Sequence, residues 1–235
     1  MIEKTVIGPG PDVILLCGGK GIRLLPITND IPKPLISIKG KPILHYIIDY
    51  LKKQGEYKII VAVGHKSEKI CEYIKNNYAD ETIRIVDSGN VDIIKRIQDI
   101  CEKITGDFLV LYGDTISNVE INKLISYHNS HQQPITMTVW PLSTQFGLVD
   151  IDKNGKVKSF QEKPTLDKWI NIGYIYINYE MINVIKEYQS FEKFLHEMAV
   201  KGFLNTFKHL GAHITVNTLN ELEQAEINIV KLLKR

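Results

Sequence analysis

Val13-Ile14-Leu15-Leu16-Cys17-Gly18-Gly19-Lys20-Gly21-Ile22-Arg23-Leu24-Leu25-Pro26, followed by Asn29-Asp30-Ile31-Pro32-Lys33-Pro34-Leu35 and Gly40-Lys41-Pro42-Ile43-Leu44, is the stretch on which the reading of this chain turns. An unbroken apolar run ending in a glycine pair predicts a buried parallel strand that feeds a tight backbone turn. A side chain at Gly18, Gly19 or Gly21 would hold the backbone N–H groups away from an anion, so this turn can approach a phosphate. Lys20 and Arg23 add cationic donors, and the planar fork of Arg23 can grip two phosphate oxygens at once. Lys33 is a point charge on backbone stiffened by Pro32 and Pro34. Together they suit a triphosphate.

Other readings of a glycine turn are narrowed by spacing. The pattern is not G-x-G-x-x-G, and no acidic residue ends a second strand near Val61-Ala62-Val63-Gly64, so a dinucleotide fingerprint is absent. No Gly-Lys-Ser/Thr follows, as a Walker loop requires. The turn alone leaves a plain structural turn and an anion site both open, and the Pro-Lys-Pro element favours the anion site.

A chain of 235 residues can bury one substantial core. With 24% charged residues and a net charge of +2, it has no broad electrostatic footprint for a nucleic acid or a membrane surface. Cys17, Cys71 and Cys101 are odd in number, widely spaced and lack a C-x-x-C pair, which predicts core thiols in a reducing compartment and no disulfide or zinc site. No apolar run approaches a membrane span and no signal-peptide pattern is seen, so a cytoplasmic protein is expected.

Along the chain, residues 1–12 form an N-terminal arm ending in Gly8-Pro9-Gly10-Pro11. A helix follows from Ile43 to Gly55, then a strand at 57–64, a helix at 67–78, a strand at 83–86 and a helix at 92–104. This βαβα alternation predicts a mostly parallel sheet with helices on both faces and ligands at the strand C-termini. The strand at 108–112 ends in Gly113-Asp114, which would aim a carboxylate into the ligand crevice, where it can hold a magnesium ion bridging phosphates. Beyond it come a helix at 121–130, a strand at 135–140, a hairpin of 147–152 and 156–161, a strand from Trp169, helices at 180–188 and 191–201, strands at 203–208 and 213–216, and an amphipathic helix from Asn220. His128 and His131 are placed on a solvated helix end, and His196-Glu197 lacks the second histidine of a zincin.

The pattern G-G-x-G-x-R-L-x-P starting at Gly18, then P-K-P at Pro32 and G-K-P-I-L at Gly40, resembles the signature of the sugar-phosphate nucleotidyltransferases. That resemblance implies an α/β fold with a Rossmann-like, mostly parallel mixed sheet and a small sugar-binding β portion. It also implies one domain over 13–235, with a nucleotide-binding half at 13–118 and a sugar-phosphate half at 119–235. The implied substrates are a nucleoside triphosphate and a sugar 1-phosphate, and the implied assembly is a homo-oligomer serving polysaccharide precursors. By position, the resemblance makes Arg23 and Lys33 catalytic. It gives Leu16, Gly18, Gly19, Lys20, Gly21, Ser88, Gly89 and Gly113 to the nucleotide, and Glu162, Lys163, Asn171 and Gly173 to the sugar phosphate. Mg2+ would be held by Asp114 and Asn217.

Within the family, Tyr112-Gly113-Asp114, Phe146-Gly147, the run from Ser159 to Pro164 and Trp169-Ile170-Asn171 most resemble glucose-1-phosphate cytidylyltransferases. CTP and glucose 1-phosphate are therefore the expected pair. A guanylyl- or thymidylyltransferase acting on another sugar, or a nucleotide-sugar-binding module with attenuated catalysis, are the alternatives. Three positions depart from the family pattern: Ile22 replaces a hydroxyl residue before the arginine, the 87–92 loop is shortened, and Asn217 stands where relatives carry an aspartate.

Overall fold

In the computed structural model, which describes residues 10–78 and 83–233, the apolar runs of the first half become neighbouring strands. Residues 1–9 of the expected arm lie outside the described residues. In chain order, β1 (Asp12–Leu16) leads to the short pair β2 (Ser37–Ile38) and β3 (Lys41–Pro42), then α1 (Ile43–Gln54), β4 (Ile59–Val63), α2 (Ser67–Asn77), β5 (Ile83–Asp87) and α3 (Ile93–Cys101). There follow β6 (Phe108–Tyr112), β7 (Thr115–Ser117), α4 (Ile121–Asn129), β8 (Ile135–Ser143), β9 (Leu148–Ile151), β10 (Val157–Gln161) and β11 (Thr165–Ile177). The chain continues with α5 (Met181–Lys186), α6 (Phe191–Val200), β12 (Leu204–Lys208), β13 (His213–Thr215) and α7 (Leu219–Leu233). β1 thus begins at Asp12, which pairs with Phe108, one residue earlier than the boundary read from sequence.

The main sheet has 7 strands in the order β12-β8-β11-β6-β1-β4-β5. β11 runs antiparallel to both neighbours, and every other adjacent pair is parallel. Alternation divides the strands between two cores. Val13, Leu15, Val61 and Leu109 face α1, α2, α4 and α7, whereas Ile14, Ile60, Phe108 and Val110 face α3, α5 and α6. Burial on both faces explains why β1, β4 and β6 read as continuous apolar runs. β9 and β10 form a separate antiparallel hairpin.

Two expectations need correction. Cys17 and Cys101 are buried, but Cys71 on α2 is only half-buried. His128 is not on a solvated end: it is 3% exposed, because the last turn of α4 presses it onto β8 and β11. Its Nδ1 lies 2.8 Å from Thr136 Oγ1, its Nε2 2.6 Å from Asn178 Oδ1, and its ring packs at a tilt against Tyr176. His131 remains exposed.

Burial holds the pKa of His128 below its usual value, and His209 and His213 are depressed by the same cause. The unfolded chain therefore takes up more protons than the folded one as pH falls below about 6.5, so stability from these residues is present above that pH and lost below it. His128→Leu is expected to cost roughly 1–3 kcal/mol at neutral pH by removing the partner of buried Thr136 and of half-buried Asn178. It should also shrink the stability lost on acidification from pH 7 to 5. Urea unfolding at both pH values checks this, and an unchanged pH dependence would refute it.

Candidate active site

The glycine turn stands at the C-terminal end of β1, where the parallel arrangement places ligands. Gly21 has φ +64°, and a Cβ there would fall 2.9 Å from Thr28 Cγ2, so only glycine fits without strain. Thr28 Oγ1 donates to the Gly21 carbonyl at 3.0 Å and anchors the turn. The space in front of Gly19 is open. A tight turn over Ile22–Leu24 carries Arg23, and a second over Lys33–Leu35, with Pro32 and Pro34 beside Lys33, fixes the lysine backbone.

On the neighbouring strand, Gly113 brings the end of β6 against the end of β1. Its N–H donates to Leu16 O at 2.9 Å, and a Cβ would sit 2.5 Å from Cys17 Sγ. Asp114 is thereby held over the glycine turn. Lys33 Nζ contacts Asp114 Oδ2 and lies 2.8 Å from Asn217 Oδ1, which also accepts from Arg23 Nη2 at 2.9 Å. Asn217 is oriented by its own Nδ2, donating to Thr215 Oγ1 at 3.0 Å, and by its backbone N–H on Glu221. Segments far apart in sequence thus converge, and Arg23, Lys33, Asp114 and Asn217 form one cluster.

The cluster carries one carboxylate, one amide oxygen and two cations. Lys33 Nζ touches both oxygens, so a single cation can reach both. Hard oxygen donors suit Mg2+, which binds through one or two protein oxygens together with phosphates and water. Among the described residues no group of three or more His, Cys, Asp or Glu could hold a metal on its own. The donor set fits a metal that arrives with phosphates. Cys17 beneath the turn is not a nucleophile, since burial, reinforced by the Asp114 charge, pushes its thiol far above the ordinary range.

A cleft of about 590 Å³ opens beside this cluster. Leu16, Gly18, Gly19, Lys20, Lys33, Gly113 and Asp114 line it, joined by Tyr112, Asn90, Val91 and Arg96. Ser88 and Gly89 are not in its wall. The Gly89 N–H donates to Asp87 Oδ1 at 2.8 Å, and the next residues of the loop, Asn90 and Val91, line the cleft.

The residues expected on the sugar side are less tightly gathered. Glu162 and Lys163 follow the end of β10 as an exposed pair 4.0 Å apart. Asn171 Oδ1 accepts from Gly173 N at 2.8 Å, and its Nδ2 lies 3.4 Å from the Tyr112 hydroxyl. Gly173 packs onto the Tyr112 ring, where a Cβ would clash at 2.3 Å. Asn171 and Gly173 therefore shape the cleft through Tyr112, while Glu162 and Lys163 stand outside its wall.

Arg96 is a cleft residue that no sequence motif marks. Its signal was present: a charged residue on the stripe of α3 that also carries buried Ile97 and Ile100.

Comparison with known proteins places the chain in a family. The model of the family described as nucleotidyl transferase matches residues 12–212. A "Probable glucose-1-phosphate cytidylyltransferase" of Bacillus subtilis is 32% identical, covering 89% of this chain and 92% of that one. A D-glycero-alpha-D-manno-heptose 1-phosphate guanylyltransferase of Campylobacter jejuni is 33% identical over 78% of this chain and 84% of its own. In fold, the crystal structure of HddC from Yersinia pseudotuberculosis superposes with a TM-score of 0.73 at 24% identity, covering 94% of this chain and 100% of that one. No helix among the described residues is long and apolar enough to cross a membrane. A match over most of the chain, relatives above 30% identity and a shared fold show that this chain belongs to the sugar-phosphate nucleotidyltransferases.

Proposed function

We propose that this nucleotidyltransferase joins CTP to glucose 1-phosphate. A phosphate oxygen of the sugar 1-phosphate attacks the α-phosphorus in line. The new P–O bond forms as the bond to the β-phosphate bridging oxygen breaks, and pyrophosphate leaves with those electrons. No covalent enzyme intermediate is required, so catalysis consists of positioning and charge neutralisation.

In this reading Gly18, Gly19 and Gly21 present backbone N–H groups to the nucleotide, with Leu16, Lys20 and Gly113 completing its bed. Ser88 and Gly89 act by carrying the loop whose next residues meet the base. Lys33 neutralises the α-phosphate and Arg23 the leaving pyrophosphate. Glu162 and Lys163 receive the sugar phosphate, aided by Asn171 and Gly173. Asp114 and Asn217 would hold Mg2+, which supplies further neutralisation of phosphate charge. The assembly is proposed to be a homo-oligomer, checked by light scattering, and its place the cytoplasm.

The observation that carries this reading is the convergence of Arg23 and Lys33 on Asn217 and Asp114, with Lys33 and Asp114 in the cleft wall. The base is taken from the resemblance of the second half to cytidylyltransferases. The guanylyltransferase relative makes GTP with another sugar 1-phosphate the second reading. Pyrophosphate release with Mg2+, testing CTP, GTP, dTTP, UTP and ATP against several sugar 1-phosphates, decides between them. Release with CTP and glucose 1-phosphate alone is the expected result. Release with another pair reassigns the substrates, and nucleotide binding without release indicates an attenuated binding module.

A further inference from the structure

Behind the glycine turn lies a charged group with no role so far. Arg96 is 3% exposed, and its guanidinium donates to three backbone carbonyls: Val63 at the end of β4 (2.5 Å), Gly18 after β1 (3.0 Å) and Val91 after β5 (2.9 Å). The packing leaves no slack. A Cβ on Gly18 would lie 2.1 Å from the guanidinium carbon, and one on Gly64 would lie 2.3 Å from Nη1 and 2.2 Å from Gly89 O. A buried cation is costly to desolvate, and here hydrogen bonds to three backbone carbonyls offset that cost. All three acceptors stand at the ligand end of the sheet.

Peptide planarity gives this arrangement a direction. In a trans peptide the C=O and the following N–H point opposite ways, so fixing the Gly18 carbonyl on Arg96 turns the Gly19 N–H away from the helix, toward the cleft. Holding Val91 O likewise seats the 88–91 loop, whose Asn90 and Val91 line the cleft. We propose that Arg96 is a positioning residue for the nucleotide, setting with one guanidinium both the phosphate-facing peptide of the glycine turn and the loop on the opposite wall. The inference rests on the nucleotide reading of this cleft. It places the effect on nucleotide affinity and base choice, with no effect on the sugar phosphate.

The test measures nucleotide binding by calorimetry with CTP, GTP, dTTP and UTP, on wild type and on Arg96→Lys, which keeps the charge but not the fork. The variant is expected to weaken the preferred nucleotide by about 10-fold or more. The ratio between the preferred and next nucleotide should narrow, while KM for the sugar 1-phosphate stays within about twofold. Equal affinities and an unchanged ratio in a folded variant overturn the inference. So does an equal rise in both KM values, which a merely structural arginine would give. A wild-type measurement stands apart from the variant's folding: nucleotide must slow hydrogen exchange at residues 88–92 as well as 18–21, and protection confined to 18–21 overturns the proposal. Wild type that binds none of the nucleotides instead removes the nucleotide reading of the cleft.

Discussion

Lys33→Ala is expected to lower kcat by roughly 10²–10³-fold, the loss seen when one preorganised donor is taken from developing charge. The lysine is held by short-range backbone stiffness and long-range contact together. Pro32 and Pro34 flank it in a tight turn, its side chain is only 12% exposed, and its ammonium reaches Asp114 and Asn217, which come from distant segments. Such a group is already ordered before substrate binds, and Mg2+ on the Asp114 and Asn217 oxygens would free its ammonium for the phosphates. Its contribution to stability is smaller, roughly 1–3 kcal/mol for hydrogen bonds to a charged partner. Steady-state pyrophosphate release beside thermal unfolding separates the two effects. A folded Lys33→Ala enzyme with wild-type kcat would remove Lys33 from the chemistry. Lys33→Arg should not restore the rate, because the longer planar fork cannot occupy the point that touches both oxygens.

The contrast between Lys33 and Arg96 shows what the sequence discloses. Lys33 is visible because prolines and glycines near it in the chain announce an unusual backbone, and β1, β4 and β6 are visible because burial on both faces makes them apolar throughout. Asp114 follows from the same strand logic. Arg96 and His128 lie on helices whose periodicity was legible, yet their partners are carbonyls and side chains on other elements, which no local pattern encodes. The antiparallel insertion of β11 between β6 and β8 is likewise a long-range choice: its 13 residues change register twice, and only the part from Trp169 read as strand. On the sugar side, Glu162 and Lys163 were legible as a motif, but they sit exposed at a hairpin end, where the chain alone fixes no partner.

Asp114→Asn is expected to abolish most turnover, by about 10³-fold, and Asn217→Asp to move the metal requirement in the opposite direction. The cluster has a single formal negative charge, on Asp114, which meets Lys33, while Arg23 meets the Asn217 amide. Removing it leaves two amides, which hold neither a hard divalent ion nor the Lys33 ammonium firmly. Adding a charge at Asn217 does the reverse, and the Mg2+ concentration for half-maximal rate should fall by roughly 10-fold. Binding of Mn2+ followed by paramagnetic resonance in the presence of nucleotide gives a readout independent of rate. If both oxygens share one ion, the two substitutions are coupled, and the double variant recovers part of the Mn2+ affinity lost in Asp114→Asn. If Asn217→Asp leaves Mn2+ affinity unchanged while Lys33 and Arg23 variants still lose activity, Asn217 serves only to aim those two cations. A strong rise in kcat for Asn217→Asp would carry a further consequence, because the natural amide would then act as a brake that keeps this enzyme slower than its own scaffold permits.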